Sequence, residues 1–263
     1  MPSKFDHYFG RNWKMSRITS ADADAGDRRV SSSEPIFQLV DLSAGYGDLA
    51  AIRSVSLDLH PGEMVALFGP NGAGKTTTLM AAIGAIPRMS GQVLWRGRPA
   101  PTSPYRAARD GLTFVAEDRS VVAGLSTLDN LRLGRGGVDA ALRHFPELEG
   151  LLKRRAGLLS GGEQQMLTLA RAIAARPAAL LIDELSLGLA PLVVDRLLAA
   201  LRTAADEEGL AILLVEQQAR RALATSDRWY LLRNGEISGS GSSGTGIDVL
   251  ESAYLADMTD SSH

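Results

Sequence analysis

The run Gly69-Pro70-Asn71-Gly72-Ala73-Gly74-Lys75-Thr76-Thr77 confines this chain to a narrow set of folds. It fits G-x-x-x-x-G-K-[ST], the phosphate-binding loop of nucleotide hydrolases. Glycines let such a loop turn its backbone N–H groups onto phosphate oxygens. Lys75 puts a charge within reach of the terminal phosphates, and the Thr76 hydroxyl can ligate Mg²⁺. The helix that begins here points its positive end at the anion. The motif demands a buried strand before it and a helix after it. Met64 to Phe68 is a short apolar run that reads as the strand, and Thr76 to Ile86 reads as the helix. A Gly-rich turn without a ligand is the competing explanation, and it gives no reason for these flanks.

The chain has 263 residues, a net charge of −2 and no cysteine. That length builds a core without disulfide staples, and the missing cysteines fit a reducing compartment. No basic stripe argues for nucleic acid, so none is expected as a partner. No apolar run reaches the ~18 residues of a membrane span, and the first residues lack the apolar stretch of a secretory leader. The expected chain is soluble, with partners that need not be.

Residues 1–34 carry charges, Ser and Ala with little periodicity, and a disordered N-terminal tail is expected there. Its aromatics Phe5, Tyr8, Phe9 and Trp13 leave room for a docking element. Residues 35–263 read as one globular domain. Ile36 to Asp41 and Ala51 to Leu59 alternate apolar and polar, and Gln92 to Trp95 follows as a short strand. These predict an antiparallel β layer. Leu112 to Val115, Leu180 to Ile182, Ala211 to Val215 and Trp229 to Leu232 read as buried parallel strands with helical stretches between most of them. The fold class is therefore α/β with a mainly parallel core sheet. Residues 126 to about 157 contain no strand-like run and predict a helical insertion.

Ala178 to Ile182 is a strand pattern that ends in Asp183-Glu184. An acid at the end of a parallel strand faces the ligand crevice. Asp183 can hold Mg²⁺, and Glu184 can accept a proton from an attacking water. A surface acid pair capping the next helix is the alternative, which the upstream phosphate loop disfavours. Leu159-Ser160-Gly161-Gly162-Glu163-Gln164-Gln165 opens a helix, with Ser160 and Glu163 spaced as a capping box. The glycines need a separate reason, because each costs ~1 kcal/mol relative to Ala inside a helix. Close approach of the backbone to another group supplies one, and a bare helix N-terminus is an anion site.

These residues together resemble the ATP-binding subunit of an ABC transporter. GPNGAGKTT resembles the Walker A loop, LSGGEQQ the ABC signature and LLIDE the Walker B strand. The resemblance spans roughly residues 36–256 and implies an ABC-type P-loop NTPase with a helical subdomain at about 118–158. It implies binding of ATP and Mg²⁺: the phosphates on Gly69, Asn71, Gly72, Ala73, Gly74, Lys75, Thr76 and Thr77, and the metal at Thr76 and Asp183. In the family two cassettes pair head to tail, so Ser160, Gly161 and Gly162 would serve a partner's nucleotide. Tyr46, in Gly45-Tyr46-Gly47, resembles the aromatic that stacks on adenine; a turn tyrosine packed on the sheet is its alternative. Glu184 and Gln217 take the catalytic positions, Glu117 that of the Q-loop.

Four positions depart from the common pattern. Glu117 stands where Gln is usual, Leu185 where Pro follows the catalytic acid, Ala190 where the D-loop has Asp, and Gln217 where a switch His is usual. Glu117, Ser186 to Pro191 and Val215-Glu216-Gln217 resemble ATPase subunits of importers for branched-chain amino acids, and of urea and amide importers. That likeness implies a peripheral protein at the cytoplasmic face of the cell membrane. It implies integral permease subunits and a second, different ATP-binding subunit as partners, and indirectly a solute-binding protein. A soluble ABC ATPase without a membrane partner is a different expectation, although tandem cassettes and coiled-coil insertions are missing. A regulatory module that binds ATP without useful turnover is a third, motivated by Ala190 and Gln217.

Overall fold

The computed structural model describes residues 34–216 and 219–243. The expected tail, the switch residue Gln217 and the segment after Ser243 lie outside the described residues.

Two sheets organise the chain. The first is antiparallel and four-stranded, built from β1 (Phe37–Tyr46), β2 (Leu49–Leu59), β4 (Arg88–Trp95) and β5 (Arg98–Pro99) in the order β2-β1-β4-β5. The second holds β3 (Met64–Phe68), β6 (Leu112–Val115), β7 (Ala179–Asp183), β8 (Ala211–Glu216), β9 (Arg228–Arg233) and β10 (Glu236–Ser242) in the order β10-β9-β3-β8-β7-β6. Its strands are parallel except β10, which runs antiparallel to β9. The expected α/β class with a mainly parallel core and an antiparallel layer is what forms.

Side-chain alternation explains why the core sheet is covered on both faces. Met64, Ala66, Phe68, Leu180, Ile182, Ile212 and Leu214 enter one hydrophobic cluster, while Val65, Leu67, Leu181, Leu213 and Val215 enter the other. Successive strand residues point to opposite faces, so a continuous apolar run is needed when both are buried. Helices α5 (Gly161–Ala174) and α6 (Pro191–Glu208) fill the first cluster. Helix α1 (Lys75–Ala82) and the antiparallel sheet fill the second. The helix expected from Thr76 to Ile86 ends early: Ile83 is its C-cap and Gly84 turns the chain with φ 74°.

Local signals set the other helix ends. Helix α2 (Pro104–Arg109) starts with Ser103 as N-cap and Pro104 in its first turn. Within the expected insertion lie α3 (Thr127–Arg132), α4 (Val138–His144) and 3₁₀ turns at Pro146–Leu151 and Ala156–Leu158. Both halves of the Ser160–Glu163 capping box form at α5, with Ser160 N–H donating to Glu163 Oε2 at 2.6 Å. Helix α6 begins at Pro191 and stops at Gly209, which is left-handed at φ 71°. The short helix α7 (Ala219–Thr225) leads into β9.

Arg228 of β9 joins the two sheets. Its guanidinium donates to Asp58 Oδ2 of β2 at 2.9 Å and to Glu63 Oε2 at 3.0 Å, and the Tyr230 hydroxyl donates to Asp58 Oδ1 at 3.0 Å. Burial works to raise the Asp58 carboxyl, but the hydrogen bond and charge of Arg228 outweigh it and hold it below its ordinary 3.8. Burial pushes the Tyr230 phenol up to about 12.

Candidate nucleotide site

The phosphate loop leaves β3 at Phe68 and enters α1 at Lys75. Gly74 is constrained by both conformation and space. It sits at φ 103°, and a Cβ there would meet Ile52 Cγ2 at 2.5 Å, so neither the conformation nor the space admits another residue. The same contact brings the loop against β2, whose hairpin partner β1 ends in Tyr46. Tyr46 is 60% exposed.

Lys75 is only 5% exposed. Its ammonium donates to the carbonyls of Gly69 at 2.9 Å and Pro70 at 3.2 Å and lies 3.6 Å from Glu184 Oε1. The cation thus curls the loop around itself and reaches the acid beyond β7. Thr78 closes the first turn of α1 by donating its hydroxyl to the Gly74 carbonyl at 2.9 Å. Asn71, Gly72 and Thr76 are exposed on the loop, while Gly69, Ala73 and Thr77 are buried beneath it.

Asp183 ends β7 with 2% of its surface exposed. Burial pushes its carboxyl above the ordinary 3.8; the Thr76 hydroxyl hydrogen-bonds it and counters this, and the charges of Glu184 and Glu117 raise it further. Four predicted site residues from three separate segments therefore converge on Asp183: Thr76, Lys75, Glu184 and Glu117. Its Oδ1 is buried without a hydrogen-bond partner. A buried carboxylate oxygen left unpaired is unfavourable, and a cation beside it would relieve that cost. Among the described residues no group of three or more His, Cys, Asp or Glu could hold a metal by itself. A hydroxyl, one carboxylate and oxygens brought by a phosphate ligand match what Mg²⁺ takes, since it keeps waters and few protein ligands.

Glu184 adopts φ 44°, a conformation that costs a non-Gly residue on the order of 1–3 kcal/mol. Leu185, the residue in the usual proline position, is 1% exposed and belongs to the hydrophobic cluster around α5 and α6. Its buried side chain anchors the turn that a proline ring would otherwise stiffen. Ala190 is the N-cap of α6 and provides no side-chain cap, as the missing D-loop Asp implies.

The signature opens α5, with Ser160 exposed at its N-terminus. Both of the signature's glycines meet contacts inside the chain. A Cβ on Gly162 would press on Val193 Cγ1 at 2.8 Å, and one on Gly161 would touch the Arg119 guanidinium at 3.2 Å. Glu216 is a residue that no sequence motif singles out for a role in the site. It ends β8 buried, and its carboxylate accepts from Ser186 N–H at 2.9 Å and Ser186 Oγ at 2.6 Å.

A phosphate loop between a parallel strand and a helix, with a buried acid at the end of the parallel strand next but one, defines a P-loop nucleotide-binding domain. The family model described as ABC transporter matches residues 52–186. The chain is 38% identical over 206 residues to the high-affinity branched-chain amino acid transport ATP-binding protein BraG of Pseudomonas aeruginosa, covering 74% of this chain and 88% of that one. It is 34% identical over 226 residues to "Probable branched-chain amino acid transport ATP-binding protein LivF" of Archaeoglobus fulgidus, covering 82% and 94%. A solved ATP-binding subunit of an ABC transporter superposes with a TM-score of 0.69 at 28% identity, covering 83% of this chain and 93% of that one. The chain belongs to the ABC transporter family. It is the nucleotide-binding ATPase component, and among its described residues no helix is long and apolar enough to cross a membrane.

Proposed function

We propose that this chain hydrolyses ATP to power a membrane importer for branched-chain amino acids. The observation that carries the solute class is the 38% identity to BraG across 88% of that protein. The residues Glu117, Ser186 to Pro191 and Val215-Glu216-Gln217 support it, because they depart from the common cassette pattern in the same direction.

In this reading the amides from Asn71 to Thr76 and the Lys75 ammonium hold the phosphates, with Gly69 and Thr77 shaping the loop. Tyr46 stacks on the base. Thr76 and Asp183 hold Mg²⁺, which supplies charge neutralisation on the phosphate oxygens. Glu184 takes the proton of the attacking water, and Gln217 donates toward the terminal phosphate. Glu117 sits beside Asp183 and relays its state to α3 and α4. Ser160, Gly161 and Gly162 cap the nucleotide of a second cassette across a head-to-tail interface. That cassette is a different ATP-binding subunit, and both dock on permease subunits at the cytoplasmic face of the cell membrane, served by a solute-binding protein.

The test is affinity capture of the intact complex, followed by thermal-shift screening of the captured solute receptor. Stabilisation by leucine, isoleucine or valine is expected. Stabilisation by urea or short amides instead would move the chain to that importer class. Capture without any integral membrane protein would overturn the transport role.

A further inference from the structure

We infer that Glu216 is a positioning residue for Glu184, acting through Ser186. The inference rests on the reading that Glu184 is the base. Glu184 occupies a left-handed backbone conformation at φ 44°, which an unrestrained loop would leave. The residues around it are held by two successive positions of β8. The Glu184 N–H donates to the Val215 carbonyl at 3.1 Å. Two residues on, the Ser186 N–H donates to Glu216 Oε1 at 2.9 Å and the Ser186 hydroxyl to Glu216 Oε2 at 2.6 Å. Between them, the Leu185 side chain is sunk in the core.

Glu216 is 3% exposed and Ser186 5%. A carboxylate so buried is tolerated only when hydrogen-bonded, and both of its oxygens are engaged by one residue. Charge-assisted bonds of this kind are short and strong, and a pair of them fixes orientation as well as distance. The loop after β7 therefore cannot slide or flip without breaking both. A base must lie within hydrogen-bond reach of the proton it takes, and small misplacements cost large factors in rate. Glu216 also precedes Gln217 directly, so the strand end that fixes the base continues into the switch position.

The experiment uses the full chain and three variants, Glu216→Gln, Ser186→Ala and the double substitution, with Glu184→Gln in parallel. Glu216→Gln keeps volume and one acceptor, and Ser186→Ala keeps the backbone bond, so both are expected to fold. Phosphate release gives kcat and KM for MgATP, and thermal melting reports folding. Each single variant should lower kcat about tenfold or more with KM within twofold, and the double should be no worse than the worse single. Turnover within twofold of the parent, losses that multiply in the double, or a fall in kcat matched by a rise in KM would overturn the positioning role. If Glu184→Gln itself keeps normal turnover, the base assignment fails first and takes this inference with it. If Glu184→Gln is inactive while the Glu216 and Ser186 variants turn over normally, only the inference falls.

Discussion

Lys75 Nζ stands 3.6 Å from Glu184 Oε1, so the cation of the phosphate loop and the acid beyond β7 form an ion pair across the mouth of the site. On the proposed reading, a terminal phosphate entering there would exchange one anionic partner of Lys75 for another. Binding and chemistry therefore meet on a single contact, and the two residues should fail in different ways.

Lys75→Ala removes the cation and the donor that curls the loop onto Gly69 and Pro70. Hydrogen bonds to charged groups contribute ~1.5–3 kcal/mol, so MgATP affinity should fall about tenfold or more. Calorimetry measures it. Unchanged affinity at an unchanged melting temperature would show that the loop is not the phosphate site.

Glu184→Gln preserves shape and deletes the proton acceptor. ATP binding should persist while turnover drops roughly 10²–10⁴-fold, the range of general base catalysis. Near-parental phosphate release from this variant would remove Glu184 from the mechanism.

Asp183→Asn tests the metal assignment. Burial, opposed by Thr76 and reinforced by the neighbouring acids, puts the folded-state pKa of Asp183 above the unfolded 3.8. The folded chain then holds its proton more tightly than the unfolded one. Stability from this residue is full below 3.8 and is lost as pH rises through the folded value, a penalty for ionising the buried carboxyl. The amide carries no such penalty, so without Mg²⁺ the variant should melt no lower than the parent at pH 7. Its nucleotide affinity should also lose most of its Mg²⁺ dependence. A lower melting point with intact Mg²⁺ dependence would contradict both halves.

Asp58 titrates with the opposite sign. Its folded-state pKa lies below 3.8 because Arg228 outweighs burial, so it contributes stability that is full above 3.8 and lost as pH falls through the folded value. Asp58→Asn should therefore lower the melting temperature at pH 7, with the gap to the parent closing in acid. ATP hydrolysis by the folded protein should be unchanged, since this residue ties sheets together away from the site. A gap that persists in acid would mean that packing, not charge, explains the loss.

The Gln217 side chain can donate only a neutral hydrogen bond and cannot acquire the charge of a histidine. Ionised donors make stronger bonds, and water can replace a neutral one. Gln217→Ala should cost less turnover than Glu184→Gln, and the purified chain should be a slow, largely monomeric ATPase that a distinct partner cassette accelerates. A stable, rapidly hydrolysing homodimer seen by sedimentation with ATP would contradict this.

The strands were legible where hydrophobicity alone marks them. Met64 to Phe68 and Leu112 to Val115 form with the predicted bounds, because a run buried on both faces needs no pairing information. Strand β10 escaped notice: Ile237 is its one large apolar residue, and Gly239 and Gly241 lie where the Trp229 ring crosses the strand. The phosphate loop and Asp183 could be read from motifs because each is contiguous. The Glu216–Ser186 pair could not, since its members are 30 positions apart and meet only when β7 lies beside β8. Apolar residues continue past Ala82 and extend the helical pattern to Ile86, whereas the left-handed turn at Gly84 ends helix α1.

The strand ends divide the labour of the site. On the proposed reading the phosphates would be gripped by the loop between β3 and α1, whereas the base and its supports would come from the ends of β7 and β8. The two halves are separable parts. A cassette of this design can lose its cutting edge through changes at the tip of one strand and still clasp nucleotide, so paired subunits are free to drift into unequal duties, one as engine and the other as latch.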